Sequence, residues 1–207
     1  AQLRGRKPVL FLGAGGRLTA GGQTITSDKS EAGASANLLE GGNFESGKLS
    51  LPITAPYGDT DIGVFDRNPV KASLHDGRYC LSLKMKGERG FIGFPQNLYV
   101  DTTKTYRAKA SYICPTNVVV SVGGYASDGK NSNLPGPKGG TWQWSLDIKG
   151  SPDAWQAAES TIGPAGSGTA FTWPAGTLST GMGIWLSGKA GATVYLDDLV
   201  FEPAKTP

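Results

Sequence analysis

The chain has 207 residues, 31 of them glycine and only 18% charged, with a formal net charge of +3. That length buries one full core, or one core plus an appendage, and few windows have the Ala/Leu/Glu/Lys richness of a helix, which points to an all-β protein with many tight turns. No run approaches the roughly 20 apolar residues of a transmembrane helix, and so mild a charge does not single out nucleic acid as a partner.

At the N-terminus, "VLFLGAGGRLTAGG" (residues 9 to 22) looks at first like the strand and glycine turn of a dinucleotide site. The third glycine of that fingerprint would stand at Leu18, followed by a helix whose N-terminus meets the pyrophosphate. Only Arg17 to Ala20 separate the two glycine clusters, barely one helical turn. No Gly-Lys-Ser/Thr follows either, so neither phosphate motif is present. Residues 1 to 36 instead carry two short β-like pieces, "PVLFLG" and "GQTITSD", in Gly/Ser/Ala-rich sequence with Arg4, Arg6, Lys7, Arg17 and Lys29. This is the composition of an arm and linker, too small for its own core. Val9, Phe11 and Leu12 are its candidate anchors on a neighbouring subunit, by strand addition.

From residue 37 onward the pattern has period 2. In "RYCLSLKMK" Leu81, Leu83 and Met85 share one face against Ser82, Lys84 and Lys86. "TYRAKASYIC", "NVVVSVGGY" and "TWQWSLDI" repeat this, the last placing Trp142, Trp144, Leu146 and Ile148 together as core. In the final strand Leu196 and Val200 fall on the apolar phase. Turn clusters such as "GKNSNLPGPKGG" separate the strands. The prediction is an antiparallel two-sheet jelly-roll β-sandwich over residues 37–207, preceded by an extended N-terminal arm. Cys80 and Cys114 fall in separate strands, either paired in an oxidising compartment or buried as free thiols.

"NLLEGGNFESG" opens a resemblance. Followed in order by "GRYCLSLKM", "FPQNLYVDTTKTYRAKASYI", "AWQAAESTI" and "GATVYLDDLVFEP", it resembles the carbohydrate-binding modules of families 4, 9 and 22 over residues 37 to 203. The resemblance implies a non-catalytic β-sandwich that binds polysaccharide and holds one structural calcium. The tryptophan often found after Phe-Glu-x-Gly in that family is absent from "KLSLPITAPYG", so glycan specificity does not carry over.

The family's metal carboxylates match Glu45, at the end of the first expected strand, and Asp197, with Asp198 beside it. Calcium needs six to eight oxygens from chain segments that meet. The alternative is that Asp197 and Asp198 blunt an edge strand by charge. For glycan, flat aromatic faces beside amides and hydroxyls are required. Tyr125 ends a strand, Trp173 precedes Pro174 near a loop, and Phe94 and Gln96 match a segment of the family's ligand-facing sheet; these four are the glycan-binding candidates. Trp185 is out of phase with Ile184 and Leu186 and is expected to face outward, whereas Trp155 matches a structural tryptophan of the family.

No catalytic set assembles. His75 stands alone beside Asp76, no nucleophile elbow accompanies it, and Asp59 and Asp61 read as solvated loop acids. Two non-enzymatic functions follow, the first preferred and the second its alternative. One is a virion component, a phage decoration or tail protein held in its assembly by the arm; a chain ending after one module, the lack of a leader and the basic arm suggest it. The other is the binding module of a secreted polysaccharide-degrading enzyme, favoured by the family motifs. The expected location is accordingly virion or extracellular, with polysaccharide or neighbouring subunits as partners.

Overall fold

The computed structural model describes residues 18–20, 23–25, 37–49, 54–66, 77–130, 133–136 and 142–204. The chain divides into two units, residues 1–34 and 35–207. In the first, β1 (Leu18–Ala20) and β2 (Gln23–Ile25) pair antiparallel with Leu18 opposite Ile25. β2 lies within the expected piece "GQTITSD"; the piece "PVLFLG", with Val9, Phe11 and Leu12, lies outside the described residues.

The second unit is all-β. Its strands are β3 (Thr54–Asp66), β4 (Tyr79–Tyr99), β5 (Tyr106–Cys114), β6 (Val118–Ser127), β7 (Trp144–Ile148), β8 (Ser151–Gly163), β9 (Phe171–Thr172), β10 (Ser179–Gly188) and β11 (Thr193–Pro203). They bond in the order β7-β6-β10-β4-β11-β5-β8-β9, with β3 on β4. Every pair is antiparallel except the short β8–β9 contact.

The long strand β4 makes this one hydrogen-bonded path fold into two layers. Leu81 to Lys84 pair with β11, while Arg89 to Tyr99 pair with β10, and β3 follows β4 through both parts. A front layer (β3-β4-β10-β6-β7) thus faces a back layer (β3-β4-β11-β5-β8-β9). Trp144 of β7 stacks on Phe201 of β11 at 5.1 Å and 20°, although four steps separate these strands in the bonded order. Only face-to-face layers bring them together. This is the jelly-roll sandwich that the alternation predicts.

Leu81, Leu83, Met85, Val118, Val120, Leu146, Ile148 and Leu196 are buried in the common core, as their phase requires. Burial of each such side chain contributes roughly 1.5–3 kcal/mol. Val200 departs from expectation and is only half-buried. A bulge between Asp197 and Val200 inserts a residue, with Asp198 at φ 46°, so the buried phase moves from Val194 and Leu196 to Leu199 and Phe201.

Past that bulge β4 no longer flanks β11, and the segment from Asn37 to Gly42 takes its place. The Asn37 side chain donates to the Leu199 carbonyl at 2.9 Å and accepts the amides of Phe201 (2.9 Å) and Leu39 (3.1 Å). The Leu199 amide bonds the Gly42 carbonyl at 2.9 Å. The expected opening strand at residues 37 to 47 is therefore a run of turns, closed by Phe44 at φ 53°.

Cys114 belongs to the main core, and Cys80 to a small second cluster with Ile113 and Trp155. Ile113 and Cys114 are neighbours on β5 and point to opposite sides of it. Both thiols are free.

Candidate functional site

The outer face of the front layer follows from the strand phase. Met182, Ile184 and Leu186 of β10 enter the core, so Gly181, Gly183, Trp185 and Ser187 line the opposite side. The same rule puts Val119, Ser121, Gly123 and Tyr125 of β6, and Arg89, Phe91 and Gly93 of β4, on that outer side. The register aligns them across the sheet. Phe91, Trp185, Ser121 and Asp147 form one row, and Gly93, Gly183, Gly123 and Ser145 form the next.

Glycines of this face are covered by rings from neighbouring positions. A Cβ on Gly183 would stand 2.8 Å from the Phe91 ring, one on Gly181 would stand 2.5 Å from the Tyr125 ring, and one on Gly123 would overlap the indole of Trp142. Glycine at these strand positions lets aromatic rings lie against the backbone. Phe91 meets Trp142 edge-on at 6.4 Å and 71°, and Trp185 at 6.4 Å and 46°, both favourable quadrupole arrangements. Ser121, Trp142, Ser145 and Trp185 enclose a shallow depression of about 370 Å³.

Further along the same face a second depression, about 340 Å³, is lined by Asn97, Tyr99, Tyr125, Ser127, Lys130 and Leu178 among others. Tyr99 is 76% exposed. Burial pushes the Tyr125 phenol up from its usual range, so at neutral pH it is an uncharged hydroxyl able to donate and accept.

Of the glycan-binding candidates named from sequence, Tyr125 is in this second depression. Phe94 and Trp173 are not on the surface: they are 1% and 7% exposed and belong to the core. Phe94 shares the inward phase of Ile92, and Trp173 packs edge-on to Tyr106 at 5.8 Å and 82°. Gln96 is in β4, and its side chain lies outside the described residues. Trp185 faces outward as its phase predicts.

Trp142 corrects another expectation. β7 begins at Trp144, and before it the Gln143 side chain turns inward to donate to the Leu134 carbonyl at 2.7 Å. Trp144 remains buried, with Nε1 donating to Thr180 Oγ1 at 3.2 Å, while Trp142 is half-buried on the outer face. The platform of Phe91, Trp142 and Trp185 was thus only partly legible. Its signal is glycine at alternate positions inside apolar strands, as in Gly181-Met182-Gly183-Ile184-Trp185.

Among the carboxylates, Glu45 holds backbone: its oxygens accept the Arg78 amide (3.0 and 2.9 Å) and the Tyr79 amide (3.1 Å), fixing the start of β4. Asp197 is 1% exposed and its Oδ1 accepts the Asp198 amide at 2.7 Å. Asp198 accepts from Ser111 Oγ at 3.3 Å. Among the described residues no three His, Cys, Asp or Glu side chains form a metal-ligand group, so a cation at Asp197 would draw on backbone carbonyls as well, as calcium commonly does. Asp59 and Asp61 lie in β3 rather than a loop, and Asp61 pairs with Lys86 at 2.6 Å. His75 lies outside the described residues.

No family model and no curated protein matches this sequence. Solved structures do resemble it. TmCBM61, solved in complex with β-1,4-galactotriose, is 18% identical with a TM-score of 0.56, over 82% of this chain and 100% of that one. The CBM22-1 xylan-binding domain from Paenibacillus barcinonensis is 14% identical with a TM-score of 0.51, over 84% and 98%. The enzymatically active domain of tailspike protein 4 from bacteriophage CBA120 is 10% identical with a TM-score of 0.54, over 81% of this chain and 21% of the tailspike chain. At these identities the likeness establishes the fold, that of carbohydrate-binding modules.

Proposed function

We propose that the sandwich of residues 37–204 is a non-catalytic carbohydrate-binding module that holds a polysaccharide across the outer face of its front layer. The observation that carries this is the platform of Phe91 and Trp142, seated on Gly183 and Gly123, with Trp185 beside Phe91. Flat rings offer the apolar faces of sugars a stacking surface, and Asn97, Ser121, Ser127 and Ser145 supply amide and hydroxyl partners beside it. The non-catalytic assignment is supported by likeness along nearly the full length of two modules of this kind. Binding of this sort belongs outside the cell, where polysaccharide is met.

The test is affinity electrophoresis on gels containing β-1,4-galactan, xylan and other polysaccharides. Retardation that Trp185→Ala weakens at least about tenfold, or ~1.4 kcal/mol, supports the reading. No retardation by any polysaccharide overturns it.

A virion or surface-assembly role is the second reading, favoured by the likeness to part of a phage tailspike. It rests on the arm, whose anchors Val9, Phe11 and Leu12 lie outside the described residues. The glycan-binding reading stands on described side chains and takes precedence. We also propose one calcium ion at the β11 bulge, held by Asp197 with backbone carbonyls, where it would pin the phase change of the strand.

A further inference from the structure

The charges around the aromatic face narrow its ligand. Arg89 pairs with Ser187 one row beyond Phe91 and Trp185, is exposed, and shares the outward phase of Phe91. At the far end Lys130 lines the depression that holds Tyr99 and Tyr125. Neither cation forms an ion pair with another described residue, unlike Lys86, Lys104 and Arg107. Acidic groups near them are placed as follows. Glu88 is the exposed chain neighbour of Arg89 in the irregular stretch of β4 between Met85 and Gly90, Asp128 Oδ1 accepts the Lys130 amide at 2.8 Å, and Asp147 stands opposite Ser121 in register.

The face therefore runs in the order cation, aromatic platform, glycine floor, tyrosines, cation. From Ser187 to Ser179 it covers nine residues of β10, eight steps of ~3.3 Å or roughly 26 Å. That length suits several linked sugars rather than one.

We infer that the ligand of this face is an acidic polysaccharide, an extended chain whose carboxylate or sulfate groups meet Arg89 and Lys130 while its sugar rings stack between them. This rests on the glycan-binding reading and specifies its substrate class. Neutral chains use the rings alone. Acidic chains use both, and their binding weakens as salt screens the end charges.

The experiment compares the full chain on four polymers: polygalacturonate, a sulfated galactan, neutral β-1,4-galactan and xylan. Polygalacturonate and the sulfated galactan distinguish carboxylate from sulfate. The expected result is that at least one acidic polymer binds about tenfold or more tighter than the neutral ones at low salt, ~1.4 kcal/mol. Arg89→Gln, which lies outside both depressions, lowers that advantage and leaves neutral binding unchanged, and adding Lys130→Gln removes the rest of the advantage, whereas Trp185→Ala weakens both. Equal binding of neutral and acidic polymers, lost in Trp185→Ala, overturns the acidic specificity and leaves the glycan-binding reading intact. Retention of polyanions that Trp185→Ala does not alter is unspecific charge attraction and overturns the inference. Binding to none of the four overturns it also, and removes the reading on which it rests.

Discussion

The indole of Trp142 fills the space that a side chain at Gly123 would need: a Cβ there overlaps the six-membered ring and comes 2.6 Å from the Trp144 carbonyl. Gly123→Ala must therefore displace both the ring and the neighbouring strand β7. The expected cost is about 1–3 kcal/mol, the range for overpacking, with a shifted tryptophan emission. Gly181→Ala is the milder control, because the atoms nearest to its Cβ belong to the Tyr125 ring and not to backbone. Equal urea midpoints for Gly123→Ala and the parent protein would contradict the seating of Trp142.

Binding and stability separate by residue. Trp185→Ala removes a partly buried ring that meets Phe91 and is expected to cost about 0.5–1.5 kcal/mol of stability while weakening glycan retention. Phe94→Ala and Trp173→Ala are expected to cost about 3–5 kcal/mol each, as core truncations do. Denaturant unfolding and affinity electrophoresis of the three variants decide it. A Trp173 variant of parental stability would place that ring on the surface after all.

Asn37 joins the start of the sandwich to its last strand through its bonds to Leu199, Phe201 and Leu39. At ~0.5–1.5 kcal/mol per bond, Asn37→Ala is expected to cost roughly 2–4 kcal/mol. Urea unfolding measures it, and a loss below about 0.5 kcal/mol speaks against this bracing.

Burial pushes the Cys114 thiol up to about 11 from 9.0. The folded state thus favours the protonated thiol more than the unfolded state does. This contribution to stability is fully present below pH 9 and is lost as pH rises through 11. At neutral pH native Cys114 is expected to resist alkylation and to react only on unfolding. Mass spectrometry after iodoacetamide treatment reads this directly, and rapid labelling of the native protein would show the thiol accessible.

For the proposed calcium at Asp197, added calcium is expected to raise the melting temperature and a chelator to lower it, since a ligand of the native state stabilises by mass action. Asp197→Asn should abolish the difference. Identical melting curves with calcium and with chelator rule the ion out.

Strand positions and facing were largely legible, because alternation is a local property of each strand. Leu81 to Met85, Val118 to Val122 and Leu196 follow it without exception. It fails where one residue changes the phase. The bulge at Asp197–Asp198 moves Val200 out of the core, and the late start of β7 turns Trp142 away from Trp144. Phe94 and Trp173 were placed on the surface by analogy and by nearness to a loop, and neither consideration measures burial.

From the sequence alone came the all-β class, the strands and the outward phase of Trp185, all set by side chains alternating about one backbone. Only the tertiary structure decided that Gly93, Gly183 and Gly123 fall in one row and that Phe91, Trp142 and Trp185 meet over it. That convergence depends on which strands pair and in what register, and a one-residue slip in either neighbour of β10 would carry the rings to the opposite face.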